Sequence, residues 1–581
     1  MPYRAPVREI ALALEAAGFA ALAPAFPDLD ADTVNAVLGG GAAFAEGVLA
    51  PTNRDGDRVG ARFENGAVVS APGFAKAYGE YAAGGWASLS ADPAHGGQGL
   101  PRALDTAVFE MMNAANVAFT LCPMLTQSAV EALAQHGTER QRALILPKLV
   151  SGEWTGAMNL TEPQAGSDLA AVTTRAEPDG AGGFRLTGQK IFITWGDHDM
   201  AENICHLVLA RLPDAPPGVK GISLFLAPKR LIGEDGRPGA ANALGPASIE
   251  HKLGIHGSPT CVMAYEGAQA ELVGEANQGL SHMFVMMNAA RLHVGVQGVG
   301  IAEAAFQQAL AFAQERRQGR AVWSAQAPAP IYDHPDVRRM LMLMKAKTAA
   351  ARGICLMTGV LTDLARVSAT AAERHSARTR QELLTPIAKA WSTDVGVEVA
   401  SLGVQVHGGM GYIEETGAAQ HYRDARIAPI YEGTNGIQAI DLVGRKLDLT
   451  GGDAMHALAA DMRVTAEVLM RDDALQRAGA TLAEGIDALE QATTWLLEHR
   501  GADSLAGATP YLKLAGDVVG GWVLGRQALL AVGGEEPWLQ AKAPLARFYA
   551  AQVLSQAPGL AEAVMAGGAD LEAVGAEGLG G

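Results

Sequence analysis

Three segments of the 581-residue chain carry side chains whose types and spacing suit chemistry. In RDARIAPIYEGTNGIQAIDLVGRKL (423–447), Glu432 follows Ala428, Pro429, Ile430 and Tyr431. A carboxylate in apolar surroundings resists ionisation, which raises its pKa toward the value a general base needs near neutral pH. A solvent-exposed glutamate ahead of a glycine turn would leave the same sequence. In MNLTEPQAGSD (158–168), a turn of small and hydroxyl residues offers backbone N–H groups and the side chains of Thr161 and Ser167 to a polar ring edge or an amide-bearing ligand. Thr, Ser and Asp equally suit a plain helix-capping loop. In KIFITWG (190–196), Phe192 and Thr194 share one face of an expected strand, an aromatic and a hydroxyl able to cover and hydrogen-bond a planar cofactor. A buried strand without a ligand shows the same alternation.

Other chemistries lack their residues. There is no G-x-S-x-G nucleophile elbow, P-loop or H-E-x-x-H. Cys122, Cys205, Cys261 and Cys355 lie far apart with no C-x-x-C pair, so they read as reduced core thiols and no metal is expected. GGQGLP (96–101) and GVQGVG (295–300) approach G-x-G-x-x-G, but neither follows a strand inside a βαβ unit. The second falls within an expected long helix, where small residues let helices approach closely. The 45 basic and 62 acidic residues give a net charge of −17, a field that repels nucleic acid and anionic bilayers. No charge-free apolar run of membrane-spanning length occurs. The N-terminal MPYRAPVREIALALEAAGFAALA is interrupted by Arg4, Arg8, Glu9 and Glu15, which suits an amphipathic helix rather than an export signal. The expectation is a cytoplasmic protein with neither nucleic acid nor membrane as a partner.

The elements that must position these segments follow from texture. With 49% hydrophobic and 18% charged residues, a chain this long is expected to fold into three or four units. Residues 1–155 read as helical. Residues 156–278 read as a β-domain, where Phe184 and Leu186 alternate with Arg185 and Thr187, and Ile222, Leu224 and Leu226 keep one side apolar. Residues 279–447 return to helices: Leu292, Val296, Val299, Phe306, Leu310 and Ala313 fall on one face of a long helix ending near ERRQGR, with two more starting near His334 and Ala372. DLTGGDAM (448–455) reads as a linker to a fourth, helical unit over 454–566. The class is α+β, with the β-domain between helical ones.

The order helices, TEPQAGSD, KIFIT, β-domain, helices with ERRQGR, VQVHGGMGY and IYEGTNGIQ resembles the acyl-CoA dehydrogenase family over roughly residues 80–447. The resemblance implies FAD between the β-domain and the 279–447 bundle. Carried over, Met158, Leu160 and Thr161 would hold the flavin edge and Ser167 would meet the pantetheine arm of an acyl-CoA. Phe192, Ile193 and Thr194 would lie against the isoalloxazine. Arg316 would reach the FAD of a neighbouring subunit, Gln405, Gly408 and Gly409 would surround the adenosine part, and Thr434 would contact the pyrophosphate side. Arg291 and Gly433 would lie near the CoA ester, with an ion pair in the bundle an equal reading for Arg291. Met158 departs from the aromatic common in the family, and Gly436 stands where many relatives have Gln.

Glu432 matches the family's catalytic carboxylate, so the resemblance implies α,β-dehydrogenation of an acyl-CoA to the trans-2-enoyl-CoA. On that resemblance, hydrogen bonds to the thioester carbonyl would stabilise the developing enolate while Glu432 would take the α-proton. It further implies an electron-transferring flavoprotein as acceptor and a homo-oligomer, dimer or tetramer. An acyl-CoA oxidase on the same fold is the alternative. The long ends resemble the longer bacterial members, among them 3-methylthiopropanoyl-CoA dehydrogenases of dimethylsulfoniopropionate breakdown. The extra C-terminal unit suits a dimerisation element, a cover for the site or a stability device.

Overall fold

The computed structural model describes residues 3–580. The N-terminal part is helical apart from a short hairpin, Arg62–Glu64 with Ala67–Val69, that the sequence texture did not announce. Helix α1 (Val7–Ala17) ends at Gly18, whose φ of +88° closes the last turn. Helix α2 (Arg102–His136) is almost wholly buried and breaks its helical dihedrals at Asn116. There Asn116 Oδ1 accepts from the Phe119 N–H (3.1 Å) and restarts the helix as a cap would, while Asn116 Nδ2 donates to Thr52 Oγ1 (3.0 Å). Two stretches, Ala31–Val59 and Arg102–His136, reach the length and mean hydropathy of a membrane span although each carries charged residues. In α2, 89% of that apolar window is buried inside the protein, so its hydropathy is spent on the core.

A seven-stranded sheet follows: β1 (Trp154–Asn159), β2 (Arg175–Pro178), β3 (Phe184–Thr194), β4 (Asn203–Arg211), β5 (Ile222–Pro228), β6 (Leu244–Ile249) and β7 (Thr260–Val273). They run in the order β6-β7-β3-β2-β4-β1, and β5 pairs with both β7 and β4, so five strands close a ring around their own core of Val208, Phe225, Met263 and Tyr265. Between Cys261 and Met263 the β3–β7 register slips, and Phe192 sits in that bulge with φ +58°.

The bundle is built from α3 (Gly279–Glu315), α4 (Pro335–Val367) and α5 (Ala371–His407), with the short α6 (Ala418–Ala425) and α7 (Asn435–Asp441) flanking the Glu432 turn. The apolar stripe expected on one face of α3 is a correction: every residue from His293 to Phe306 is buried. α3 is the central helix, wedged among α2, α4 and α5, so no face is left for water. Its glycines allow this. A Cβ at Gly295 would lie 2.5 Å from Ala388 O, at Gly298 2.3 Å from Ser392 O, and at Gly300 2.7 Å from Ala114 N. The α5 contacts rise together along both helices, Gly295 at Ala388, Gly298 at Ser392 and Ala305 at Gly403, so α3 and α5 run parallel.

Beyond the bundle lie α8 (Asp453–Met470), α9 (Gln476–Glu498), α10 (Ala508–Leu530), α11 (Lys542–Gln552) and α12 (Ala557–Met565). α10 is the axis of this unit and packs back onto the bundle, Gly516 against Trp391 and Gly520 near Ala350. The two ends of the chain meet there: Glu9 of α1 pairs with Lys345 of α4 (3.1 Å) and with Lys542 of α11. All four cysteines are buried and unbridged.

Candidate active site

Glu432 lies in a turn that is left-handed for two residues, φ +55° at Glu432 and +81° at Gly433. For a residue with a Cβ that conformation costs about 1 kcal/mol or more and persists only where neighbours over-determine it. Here they do. The Asn435 N–H and the Thr434 hydroxyl donate to Pro429 O (2.9 and 3.2 Å), and Gln438 Nε2 donates to Gly433 O (3.0 Å). Before the turn, the Tyr431 hydroxyl donates to Gln297 Oε1, and Gln297 Nε2 meets Met124 Sδ at 3.4 Å, which ties the loop to α3 and α2.

The Glu432 side chain is half-buried, and among the described residues nothing donates a hydrogen bond or forms an ion pair with its carboxylate. Burial pushes its pKa up to about 7, against the pull of Lys389 and then Arg291. A carboxylate poised at neutral pH and left without a partner can take a proton.

Arg291 is 5% exposed and reaches Asn288 Oδ1 (3.1 Å) and Asp441 Oδ2 (3.4 Å). Among the described residues its Nε has no partner, nor does Gln438 Oε1, both buried beside Gly433. Sequence reasoning missed Lys389, which is fully buried in α5 and donates to Gly433 O (3.0 Å) and Asn435 Oδ1 (2.9 Å). Its signal was a lone cation in the otherwise apolar PIAKAW.

The loop 158–168 and the end of β3 lie together: Ile191 N donates to Thr161 O (2.9 Å). The hub that sets this loop, also missed, is Glu162, 2% exposed. Its carboxylate accepts from Lys190 Nζ (2.8 Å) and from the N–H and hydroxyl groups of both Thr173 and Thr174, while Lys190 also donates to Leu160 O (2.9 Å). Burial raises the Glu162 pKa, but Lys190 and these donors outweigh it and hold it near 2. Phe192 is 59% exposed, and the hydroxyls of Thr161, Thr194 and Ser167 bond to no described residue. Ile193 departs from this set: at 2% exposure its side chain lies in the strand core, leaving only its backbone to face a ligand. Met158 and Leu160 are half-buried against the same apolar core as Tyr431.

Arg316, Gln405, Gly408 and Gly409 form a second, separate group. α3 and α5 run parallel, so their C-terminal ends coincide, and Phe312 stacks on His407 there at 4.4 Å. Gln405 lies sixteen residues beyond Lys389 in α5, about 24 Å along the helix axis. All four residues are exposed, with open space where a Cβ would stand at Gly408 and Gly409.

The acyl-CoA dehydrogenase N-terminal domain matches residues 40–153, the middle domain residues 157–268 and the C-terminal domain residues 277–447. The chain belongs to the acyl-CoA dehydrogenase family. A further match, described as acetyl-CoA dehydrogenase C-terminal like, covers residues 458–574. The chain is 48% identical to the 3-methylmercaptopropionyl-CoA dehydrogenase of Ruegeria pomeroyi over 95% of its own length and 96% of that protein's. It is 33% identical to a butyryl-CoA dehydrogenase of Syntrophomonas wolfei over 94% and 93% of the two chains. Among solved structures, Caenorhabditis elegans ACDH-11 in complex with C11-CoA shares the fold, with a TM-score of 0.76 at 20% identity over 90% of this chain and 87% of that one. Acyl-CoA dehydrogenases use FAD, and this chain's residues fit it. The exposed Phe192, three unengaged hydroxyls and the orphaned Arg291 Nε and Gln438 Oε1 are groups that a planar, hydrogen-bonding cofactor and its thioester partner would engage.

Proposed function

We propose that this acyl-CoA dehydrogenase oxidises a short acyl-CoA, 3-(methylthio)propanoyl-CoA first among candidates, to the trans-2-enoyl-CoA, and hands the electrons to an electron-transferring flavoprotein. The observation that carries the reading is Glu432, a half-buried carboxylate with no partner and a pKa near 7, held in a left-handed turn. Identity of 48% over nearly the whole chain to a 3-methylmercaptopropionyl-CoA dehydrogenase supports the substrate. Tyr431, Gln297 and Met124 link the loop of the base to α3 and α2 and so hold it in place.

Glu432 takes the α-proton of the thioester. Its backbone N–H and that of Gly433 bond to no described acceptor and are the groups of this loop available to a thioester carbonyl, where enolate charge develops. Bound FAD supplies the two-electron acceptor for the β-hydrogen that no side chain can offer. Thr161, Phe192 and Thr194 would hold its ring and Thr434 its pyrophosphate side, Ser167 and Arg291 would meet the CoA ester, Gln405, Gly408 and Gly409 would surround the adenosine part of FAD, and Arg316 would reach the FAD of a second subunit in a homo-oligomer.

The test is an anaerobic stopped-flow panel of the FAD-loaded protein against 3-(methylthio)propanoyl-CoA, butanoyl-CoA and octanoyl-CoA, read as bleaching of the flavin. Fastest bleaching with the methylthio ester is expected, and bleaching by none of them overturns the reading. Reoxidation by air as fast as by electron-transferring flavoprotein would favour an acyl-CoA oxidase.

A further inference from the structure

Among the described residues the buried lysine of α5 has no ion-pair partner within direct reach, yet burying an ammonium is costly unless it is compensated. Lys389 donates to two neutral oxygens, Gly433 O and Asn435 Oδ1, on either side of Thr434. Asn435 in turn donates through Nδ2 to Ala390 O (3.1 Å), Thr393 Oγ1 (3.0 Å) and Asp394 Oδ1 (2.8 Å). One turn of α5 therefore grips the chain immediately after the base at several points. A neutral donor would satisfy the same two oxygens, so the hydrogen bonds alone do not account for a charge in that place.

We propose that Lys389 is a positioning residue for Glu432: it fixes the left-handed turn by holding the Gly433 carbonyl and the Asn435 amide, and it places a cationic group beside the turn that carries the carboxylate. The inference rests on Glu432 being the base. The charged and titratable groups that act on the carboxylate are Lys389 from α5, Arg291 from α3 and Tyr431 beside it; Asp394 of α5 flanks Lys389, and Asp441 of α7 with Arg445 beyond it flank Arg291. Lys389 is the largest opposing influence on Glu432, and the effect is mutual: burial pushes Lys389 down to about 7 while Glu432 pulls it back up. Removing that charge leaves burial less opposed, so Glu432 would ionise at higher pH.

The experiment measures flavin reduction by substrate against pH in the FAD-loaded wild type, Lys389→Gln, Lys389→Met, Asn435→Asp and Glu432→Gln. Lys389→Gln keeps a donor for the turn and loses the charge. Its pH midpoint should rise by about one unit, leaving it about tenfold slower below that midpoint and near wild type well above it. Lys389→Met loses the tether as well and should stay slow at every pH. Asn435→Asp, at the partly exposed first residue of α7, sets a second carboxylate beside the ammonium and should raise the midpoint even if the buried substitutions do not fold. A Lys389→Gln or Asn435→Asp midpoint equal to that of wild type overturns the electrostatic role, and full Lys389→Met activity at high pH overturns the tether. Activity retained in Glu432→Gln would instead overturn the assignment of the base, a result the lysine variants cannot mimic.

Discussion

The Trp391 indole N–H donates to Asp517 Oδ1 at 2.9 Å, joining the C-terminal extension to the same helix, two residues on, that carries Lys389. Both groups are buried, Asp517 at 1% and Trp391 at 4% exposure. Tyr549 donates to the backbone carbonyl of Asp517 (3.0 Å), and Lys513 reaches its other carboxylate oxygen (2.5 Å). The extension is thus built into the bundle rather than appended to it.

Gly516 makes this joint sensitive to a single carbon. A Cβ there would lie 2.2 Å from Trp391 Cδ1, part of a rigid ring that cannot fold away. Gly516→Ala should destabilise the protein by about 1–3 kcal/mol through overpacking, and Asp517→Ala by about as much through the unpaired indole N–H. Denaturant melts check both, and an unchanged midpoint in Gly516→Ala would mean that α10 does not dock on α5.

The Glu162–Lys190 pair predicts a different failure. Glu162→Gln leaves the Lys190 ammonium buried without its countercharge, a loss of about 3–5 kcal/mol. The loop 158–168 should then loosen and FAD retention should fall. Glu162 is held near 2 against 4.5 for a free glutamate, so its contribution is present above pH 4.5 and drains away as pH falls toward 2. Wild type should lose stability across that window, and Glu162→Gln should show less of that slope in acid melts.

Local periodicity and motif order made much of this legible. Helix starts near His334 and Ala372 were readable because Pro335 opens one helix and Thr370 caps the other with a reciprocal Glu373 bond. Close packing at GVQGVG was legible because small residues at that spacing admit a neighbouring backbone. The one-sided face of α3 was not, since which helix becomes central depends on tertiary packing. Lys389 escaped for a related reason: its acceptors lie 44 and 46 residues downstream, and no local pattern encodes that meeting. Glu162 looked like part of a polar turn because its partner, Lys190, comes from a strand 28 residues away.

The far end of α3 and α5 can be tested apart from the chemistry. If Arg316 serves the FAD of a second subunit, Arg316→Ala should weaken FAD binding about tenfold or more, the worth of one charge-assisted hydrogen bond. Flavin reduction in the fully loaded variant should remain near wild type, since Arg291 and Arg316 are separated by about 37 Å of helix. Equilibrium dialysis reads the affinity, sedimentation the oligomer and stopped-flow bleaching the reduction, and unchanged affinity in an intact oligomer would remove Arg316 from the cofactor site.

Glu432→Gln is the decisive substitution. It keeps size and hydrogen-bonding capacity but cannot accept a proton, so FAD should stay bound while substrate-driven flavin reduction falls by about 10² to 10⁴. Glu414 and Glu415 offer no replacement. Glu414 is engaged by Arg423 on an exposed turn (2.8 Å), and the carbonyl oxygens of both residues accept from Arg54. In wild type the rate should climb with pH through the ionisation of Glu432 near 7, because only the carboxylate form is a base. The direction distinguishes this from a general acid, whose rate would fall over the same range. A Glu432→Gln variant that bleaches its flavin within about tenfold of the wild-type rate, short of what a lost base costs, would place the base elsewhere.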